Sequence, residues 1–136
     1  MKAHFDLHGK TVGVIGMGHI GKAFASIMRG FGCKIIAYDI RPDRRIPVTE
    51  VRYVALDELF RTSDIVSLHC PLNQNTEYLI NEKSLAALQP TAVLVNSARG
   101  RLVDTKAVLD ALDQNRLAGY AGDRLRQHPK VLLTAH

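Results

Sequence analysis

The chain alternates short apolar runs with segments in which apolar residues recur every three or four positions. Val12–Ile15 is a run of the first kind. It ends at a glycine, after which Ile20, Phe24, Ile27, Met28 and Phe31 follow at helical spacing, so a strand passes into a helix within a few residues. Residues 33–39, CKIIAYD, read as a second buried strand, because Ile35, Ile36 and Tyr38 suit a pleated interior and Pro42 blocks its continuation. VRYV (51–54) is a third, short strand and LDELFRTS (56–63) a helix.

DIVSLH (64–69), TAVLVN (91–96) and KVLLTA (130–135) are apolar runs too short for buried helices, separated by the periodic segments NEKSLAALQ (81–89) and DTKAVLDALDQN (104–115). Asn81 and Asp104 stand where helix N-caps are needed, and Pro90 lies just past the end of the first of these helices. RLAGYAG (116–122) carries one more strand. Strands alternating with helices require crossover connections, which build a mostly parallel sheet covered on both faces. With no repeat, low-complexity segment or linker, residues 1–136 read as a single α/β domain.

Composition narrows this picture. A chain of 136 residues can hide about two thirds of its unfolded surface, and 46% hydrophobic with 23% charged residues is ordinary for a soluble globular domain. A net charge of +5 would suit an anionic partner, but the main basic cluster, Arg41, Arg44 and Arg45, is not interleaved with aromatic residues. It reads as a solvated loop rather than a nucleic-acid site. Cys33 and Cys70 are far apart, without C-x-x-C spacing or paired histidines, which points to neither a disulfide nor a metal site. The opening MKAHFDLHGK has no apolar core of a signal peptide, and no run approaches the length that spans a bilayer. A soluble, cytoplasmic protein without nucleic-acid or membrane partners is the expectation.

The chemistry enters at Gly16, Gly18 and Gly21. In G-x-G-x-x-G after a strand, the first glycine permits the tight turn, the second lets backbone approach a pyrophosphate, and the third lets helix and strand pack closely. The helix that follows offers unpaired N–H groups and a positive dipole end to a diphosphate. Glycine turns before helices also arise for packing reasons, but Asp39 closes the second strand at the distance where an acidic side chain accepts hydrogen bonds from the adenosine ribose. The same carboxylate would repel a 2′-phosphate, which favours NAD over NADP, a preference weakened by the nearby Arg41, Arg44 and Arg45. The expected architecture is Rossmann-type: doubly wound, mostly parallel, with helices on both faces.

Four blocks, FDLHGKTVGVIGMGHIG (5–21), LHCPLNQNTEYLIN (68–81), LVNSARGRLVD (94–104) and AGYAGD (118–123), resemble in order and spacing the cofactor domain of D-isomer-specific 2-hydroxyacid dehydrogenases, D-lactate dehydrogenases in particular. The resemblance implies that His19 and Ile20 line the pyrophosphate, that Cys70, Pro71 and Thr76 pass near the adenosine, and that Ser97, Ala98 and Asp123 lie near the nicotinamide. Without the family, His19 reads as a surface helix residue, Cys70 as a small buried apolar group and Thr76 as a turn former. The resemblance also implies a homodimer formed largely through this domain.

Reduction of a 2-oxo acid by hydride transfer needs a fixed cation for the substrate carboxylate, an acid for the nascent alkoxide, and a carboxylate to hold that acid. Arg99 matches the family's arginine, whose planar fork meets a carboxylate in two places. His136 matches the histidine and is the last residue, where a chain end frays. The family's glutamate falls five residues after the aspartate matched by Asp123, and that position is His128, which would repel a protonated His136. The segment between Asp123 and His136 is also shorter than in the family, and an alignment with a deletion there puts Asp123 itself in doubt without supplying a glutamate. Nothing in the chain reads as a substrate-binding domain. The expectation is an NAD-binding domain with little or no turnover alone; the alternative is a non-catalytic, NAD-responsive interaction protein similar to the family's corepressors.

Overall fold

The computed structural model describes residues 6–122 and 131–133. Strand β1 (Thr11–Ile15) leads into helix α1 (His19–Gly30), followed by β2 (Lys34–Tyr38), β3 (Arg52–Tyr53), α2 (Leu56–Thr62), β4 (Ile65–Leu68), α3 (Glu82–Ala87), β5 (Val93–Asn96), α4 (Thr105–Asp113), β6 (Gly119–Gly122) and β7 (Val131–Leu133). The strands form one sheet in the order β3-β2-β1-β4-β5-β6-β7, and every described pairing is parallel. This is the doubly wound α/β arrangement that the alternation of runs and periodic segments predicts.

Central strands read as continuous apolar runs because both faces are covered. On one face Val12, Val14, Ile35 and Ala37 pack against Ala25 and Met28 of α1. On the other, Val66, Leu68 and Leu94 meet Leu59 and Phe60 of α2, Leu85 of α3, and Val108 and Leu112 of α4. Gly13 points to this second face. A side chain there would run into Leu59 and Ser63, so its bareness sets how closely α2 approaches β1.

Local signals placed the helix starts correctly. Asn81 and Ser84 form a reciprocal capping box on α3. Asp104 accepts the N–H of Ala107 at the start of α4.

The apolar periodicity of the first helix marks its buried face only in part: Met28 and Phe24 pack on the core, the other three do not. Ile20, Ile27 and Phe31 are 72, 59 and 57% exposed, and the face against the sheet is Gly21, Ala25 and Met28. Small residues bring the helix axis close to the strands, which leaves the larger ones outside.

Strand β1 pairs with β2 on one side and with β4 on the other, so the winding reverses direction between β1 and β4. At such a switch point the loops leaving the carboxyl ends of neighbouring strands diverge and open a crevice. Among the described residues, no helix is long and apolar enough to cross a membrane.

Candidate functional site

Each of the three glycines answers a different constraint. Gly16, immediately after β1, has φ of +96°, and a Cβ there would lie 2.6 Å from the main-chain nitrogen of Cys70. Its N–H donates to the carbonyl of Tyr38 at 2.9 Å, which ties the ends of β1 and β2 together. Gly21 faces the carbonyl oxygen of Gly16 so closely that any Cβ would overlap it. Gly18 is different. It is the N-cap of α1, and a Cβ built on it would meet nothing within 4 Å. Open space over an N-cap that supplies no side-chain hydrogen bond, followed by a first turn without acidic residues, leaves the helix's leading N–H groups for an anion.

Asp39 follows β2 and is wired into the same corner. Its Oδ2 accepts the N–H of Met17, inside the glycine loop, at 2.7 Å, and its Oδ1 accepts the N–H of Arg41 at 2.9 Å. A carboxylate offers about four acceptor positions, so two remain for a ligand. Beside it opens a cavity of about 420 Å³, whose walls include Gly16, Tyr38, Asp39, Arg41, Cys70, Pro71 and Thr76. That size suits a small-molecule or cofactor pocket.

The far wall of this cavity is a self-wired loop. Thr76 Oγ1 donates to the carbonyl of Pro71 at 2.6 Å and accepts the N–H of Asn73 at 2.8 Å, while Asn73 Oδ1 accepts the N–H of Asn75 at 2.8 Å. The Thr76 hydroxyl therefore acts first on its own loop. Burial pushes the Cys70 thiol above its ordinary pKa, so it stays a neutral, poorly nucleophilic wall.

A second opening, about 770 Å³, lies on the other side of Cys70 and is bordered by His69, Ser97, Ala98 and Arg99. Arg99 is exposed, and no carboxylate among the described residues pairs with it. Its backbone is held from below: buried Asn96 donates from Nδ2 to the Arg99 carbonyl at 2.9 Å and accepts the Ala98 N–H on Oδ1 at 3.2 Å. The reading of the sequence did not single out Asn96, although an amide ending an otherwise apolar run was a visible signal. It also passed over His69. That ring lies tilted against Phe24 of α1, with ring centroids 4.9 Å apart, and its Nε2 lies 2.8 Å from Ser67 Oγ, so it braces the glycine-loop helix against β4. Burial lowers its pKa below the ordinary histidine value.

The expected residues thus divide by position. Gly16, Asp39, Cys70, Pro71 and Thr76 surround one cavity; Ser97, Ala98 and Arg99 border the other, with Cys70 and Pro71 shared. His19 and Ile20 are exposed on the first turn of α1, beside Gly18 and Gly21. Asp123, His128 and His136 lie outside the described residues. Among the described residues no group of three or more His, Cys, Asp or Glu could hold a metal ion.

Comparison with known proteins gives the same picture. The model of the NAD binding domain of D-isomer specific 2-hydroxyacid dehydrogenases matches residues 1–136. A 2-hydroxyacid dehydrogenase homolog of Zymomonas mobilis is 47% identical over 133 residues, covering 96% of this chain and 40% of that protein. A D-lactate dehydrogenase of Curvularia clavata is 50% identical over 117 residues, covering 86% and 33%. Among solved structures, the NAD-complexed D-isomer specific 2-hydroxyacid dehydrogenase of Lactobacillus delbrueckii ssp. bulgaricus superposes with a TM-score of 0.91 at 35% identity, over 97% of this chain and 47% of that one. The chain spans less than half the length of these relatives.

Proposed function

Because this chain belongs to the D-isomer specific 2-hydroxyacid dehydrogenase family, through that family's NAD-binding domain, we propose that it holds NAD at the β1–β4 switch point as part of an oxidoreductase acting on a small 2-oxo or 2-hydroxy acid. The cofactor is NAD. The residues present fit it: the open N-cap at Gly18 and the acid-free first turn of α1 suit its diphosphate, and the two remaining acceptor positions of Asp39 suit ribose hydroxyls. The one observation that carries the reading is the Met17–Asp39 hydrogen bond, which ties the carboxylate after β2 to the glycine loop and so supports their acting together, one on the sugar and the other on the diphosphate.

When bound, the reduced cofactor supplies the hydride that a 2-oxo acid accepts at its carbonyl carbon. Arg99 would grip the substrate carboxylate with its guanidinium fork and draw electron density from the adjacent carbonyl. Asn96 holds the loop that presents Arg99. His136 would give the proton to the alkoxide, but the sequence supplies His128, not a carboxylate, where the resemblance expects the glutamate that holds it. Arg99 also stands exposed, where water screens it. We therefore assign residues 1–136 to NAD binding, place the substrate-closing surface outside them, and expect binding without turnover. No observation favours the non-catalytic interaction protein.

A homodimer is part of the proposal. Exposed Ile27 and Phe31, toward the far end of α1 from the glycine loop, support a second copy as their cover. Free thiols at Cys33 and Cys70 support a reducing compartment such as the cytoplasm. The test is calorimetric titration of the purified chain with NADH, then addition of pyruvate and longer 2-oxo acids while NADH absorbance is followed. NADH binding with a flat absorbance trace is the expected result. Failure to bind NADH refutes the assignment, and steady oxidation refutes the claim that this chain lacks a working acid relay. Sedimentation of wild type and Ile27→Glu tests the dimer, which the charge should dissociate.

A further inference from the structure

We propose that Asp43 makes this site discriminate against NADP by holding two cations, Lys22 and Arg45, in ion pairs on the loop that follows Asp39, the carboxylate assigned to the sugar. The inference rests on the cofactor reading above and names a residue that the glycine motif does not contain.

Lys22 stands one helical turn past Gly18, to whose carbonyl its own N–H is bonded at 2.9 Å, so its ammonium starts from the wall of the diphosphate corner. Instead of facing the crevice it reaches across to the loop after β2, where Nζ lies 2.7 Å from Asp43 Oδ2. Arg45 closes on the same carboxylate with both arms of its fork, Nε to Oδ1 at 2.9 Å and Nη2 to Oδ2 at 3.0 Å. Asp43 is itself fixed, its N–H donating to the hydroxyl of Tyr53 on β3 at 3.2 Å. The Arg45 and Lys22 contacts hold its carboxyl far below the usual carboxylate range.

A third cation, Arg44, lies over the Tyr53 ring at 5.8 Å. Among the cations of the described residues, Arg41 alone shares the cavity wall with Asp39, and its main-chain N–H is bonded to that carboxylate. A 2′-phosphate on a ribose held by Asp39 would carry nearly two negative charges to a corner where Asp39 repels it. Lys22 and Arg45, which could answer that charge, share the single carboxylate of Asp43, which takes one unit from their combined charge and holds both heads in the loop after β2. Loss of the Asp43 charge would raise the positive charge of that loop by one unit and leave both cations on flexible stems without their partner.

The experiment uses the full 136-residue chain and measures NADH and NADPH affinities by calorimetry, at low salt and at 0.5 M salt. The expected result for Asp43→Asn is a rise of about fivefold or more in NADPH affinity relative to NADH at low salt, shrinking at high salt because exposed charges are screened. Asp43→Glu, which can rebuild the pairs, should keep the wild-type ratio. Adding Lys22→Met to Asp43→Asn should remove part of the gain. Asp43→Ser, which keeps a short polar side chain in the loop, is read in the same way should Asp43→Asn not fold. A parallel fall in both affinities with an unchanged ratio shows a purely structural role and overturns the inference. Wild-type chain that binds no NADH overturns the cofactor reading, and this inference with it; NADH binding with an unmoved ratio in both Asp43 variants overturns the inference alone.

Discussion

Asp39 Oδ2 accepts the main-chain N–H of Met17 at 2.7 Å, so the carboxylate that ends β2 is fastened to the glycine loop that ends β1. Removing it takes away the loop restraint together with the proposed ribose contact. Asp39→Ala should weaken NADH binding by about 1.5–3 kcal/mol, the scale of hydrogen bonds to a charged group, or roughly ten- to a hundredfold in affinity. Calorimetric titration checks this, and an unaltered affinity would refute the sugar-binding role.

Gly18 and Gly21 should separate binding from folding. Gly18→Ala places its methyl in open space, so the thermal midpoint should stay near that of wild type while NADH binding falls sharply, because the methyl occupies the approach to the N-terminus of α1. Gly21→Ala drives a methyl into the Gly16 carbonyl and should cost about 1–3 kcal/mol of stability. Thermal melts beside NADH titrations of both variants test the contrast. Equal melting losses would contradict it.

The half-buried ring of His69 predicts an acid-sensitive fold. Its pKa is lowered in the folded state, so on acidification the unfolded chain takes up the proton first, near the ordinary histidine value of about 6.5. The stability it supports is present above that pH and is lost as pH falls toward the folded-state pKa. His69→Gln keeps a polar partner for Ser67 but does not titrate, so urea midpoints should drop less between pH 7.5 and pH 5.5 in the variant than in wild type. Identical drops would assign the sensitivity elsewhere.

Ser63 is fully buried, and its hydroxyl has no hydrogen-bond partner among the described residues. Ser63→Ala removes a polar atom that gains nothing, and should leave stability unchanged or raise it by up to about 1 kcal/mol. A methyl at Gly13 would press on the same hydroxyl and on Leu59, so Gly13→Ala should destabilise. Chemical denaturation of the two variants gives opposite signs if the packing is as described.

Much of the site was legible before any coordinates, for reasons that are local. Gly16 is required by a positive φ, Asn81 and Asp104 by unpaired helix N–H groups, and Asp39 by its place at a strand end. Asn96 and His69 escaped because their partners, the Arg99 carbonyl in one case and Phe24 with Ser67 in the other, are set by how loops and layers meet. Arg44 and Arg45 read as a loose basic loop, yet one lies over Tyr53 and the other is chelated by Asp43.

By itself the sequence determined the α/β class and the parallel sheet, through the order of apolar runs and periodic segments, and singled out the three glycines and Asp39, the corner proposed here for the dinucleotide, because each depends on backbone geometry within a few residues. Tertiary structure alone decided which stripe of α1 faces the sheet. Two faces of that helix are apolar, and the choice of Gly21, Ala25 and Met28 over Ile20, Ile27 and Phe31 follows from how near the helix must come to β1 for Gly21 to rest on the Gly16 carbonyl. It likewise decided where the charges of Lys22, Asp43 and Arg45 meet, since a contact between a helix and the loop after the next strand exists only once the sheet has brought them together.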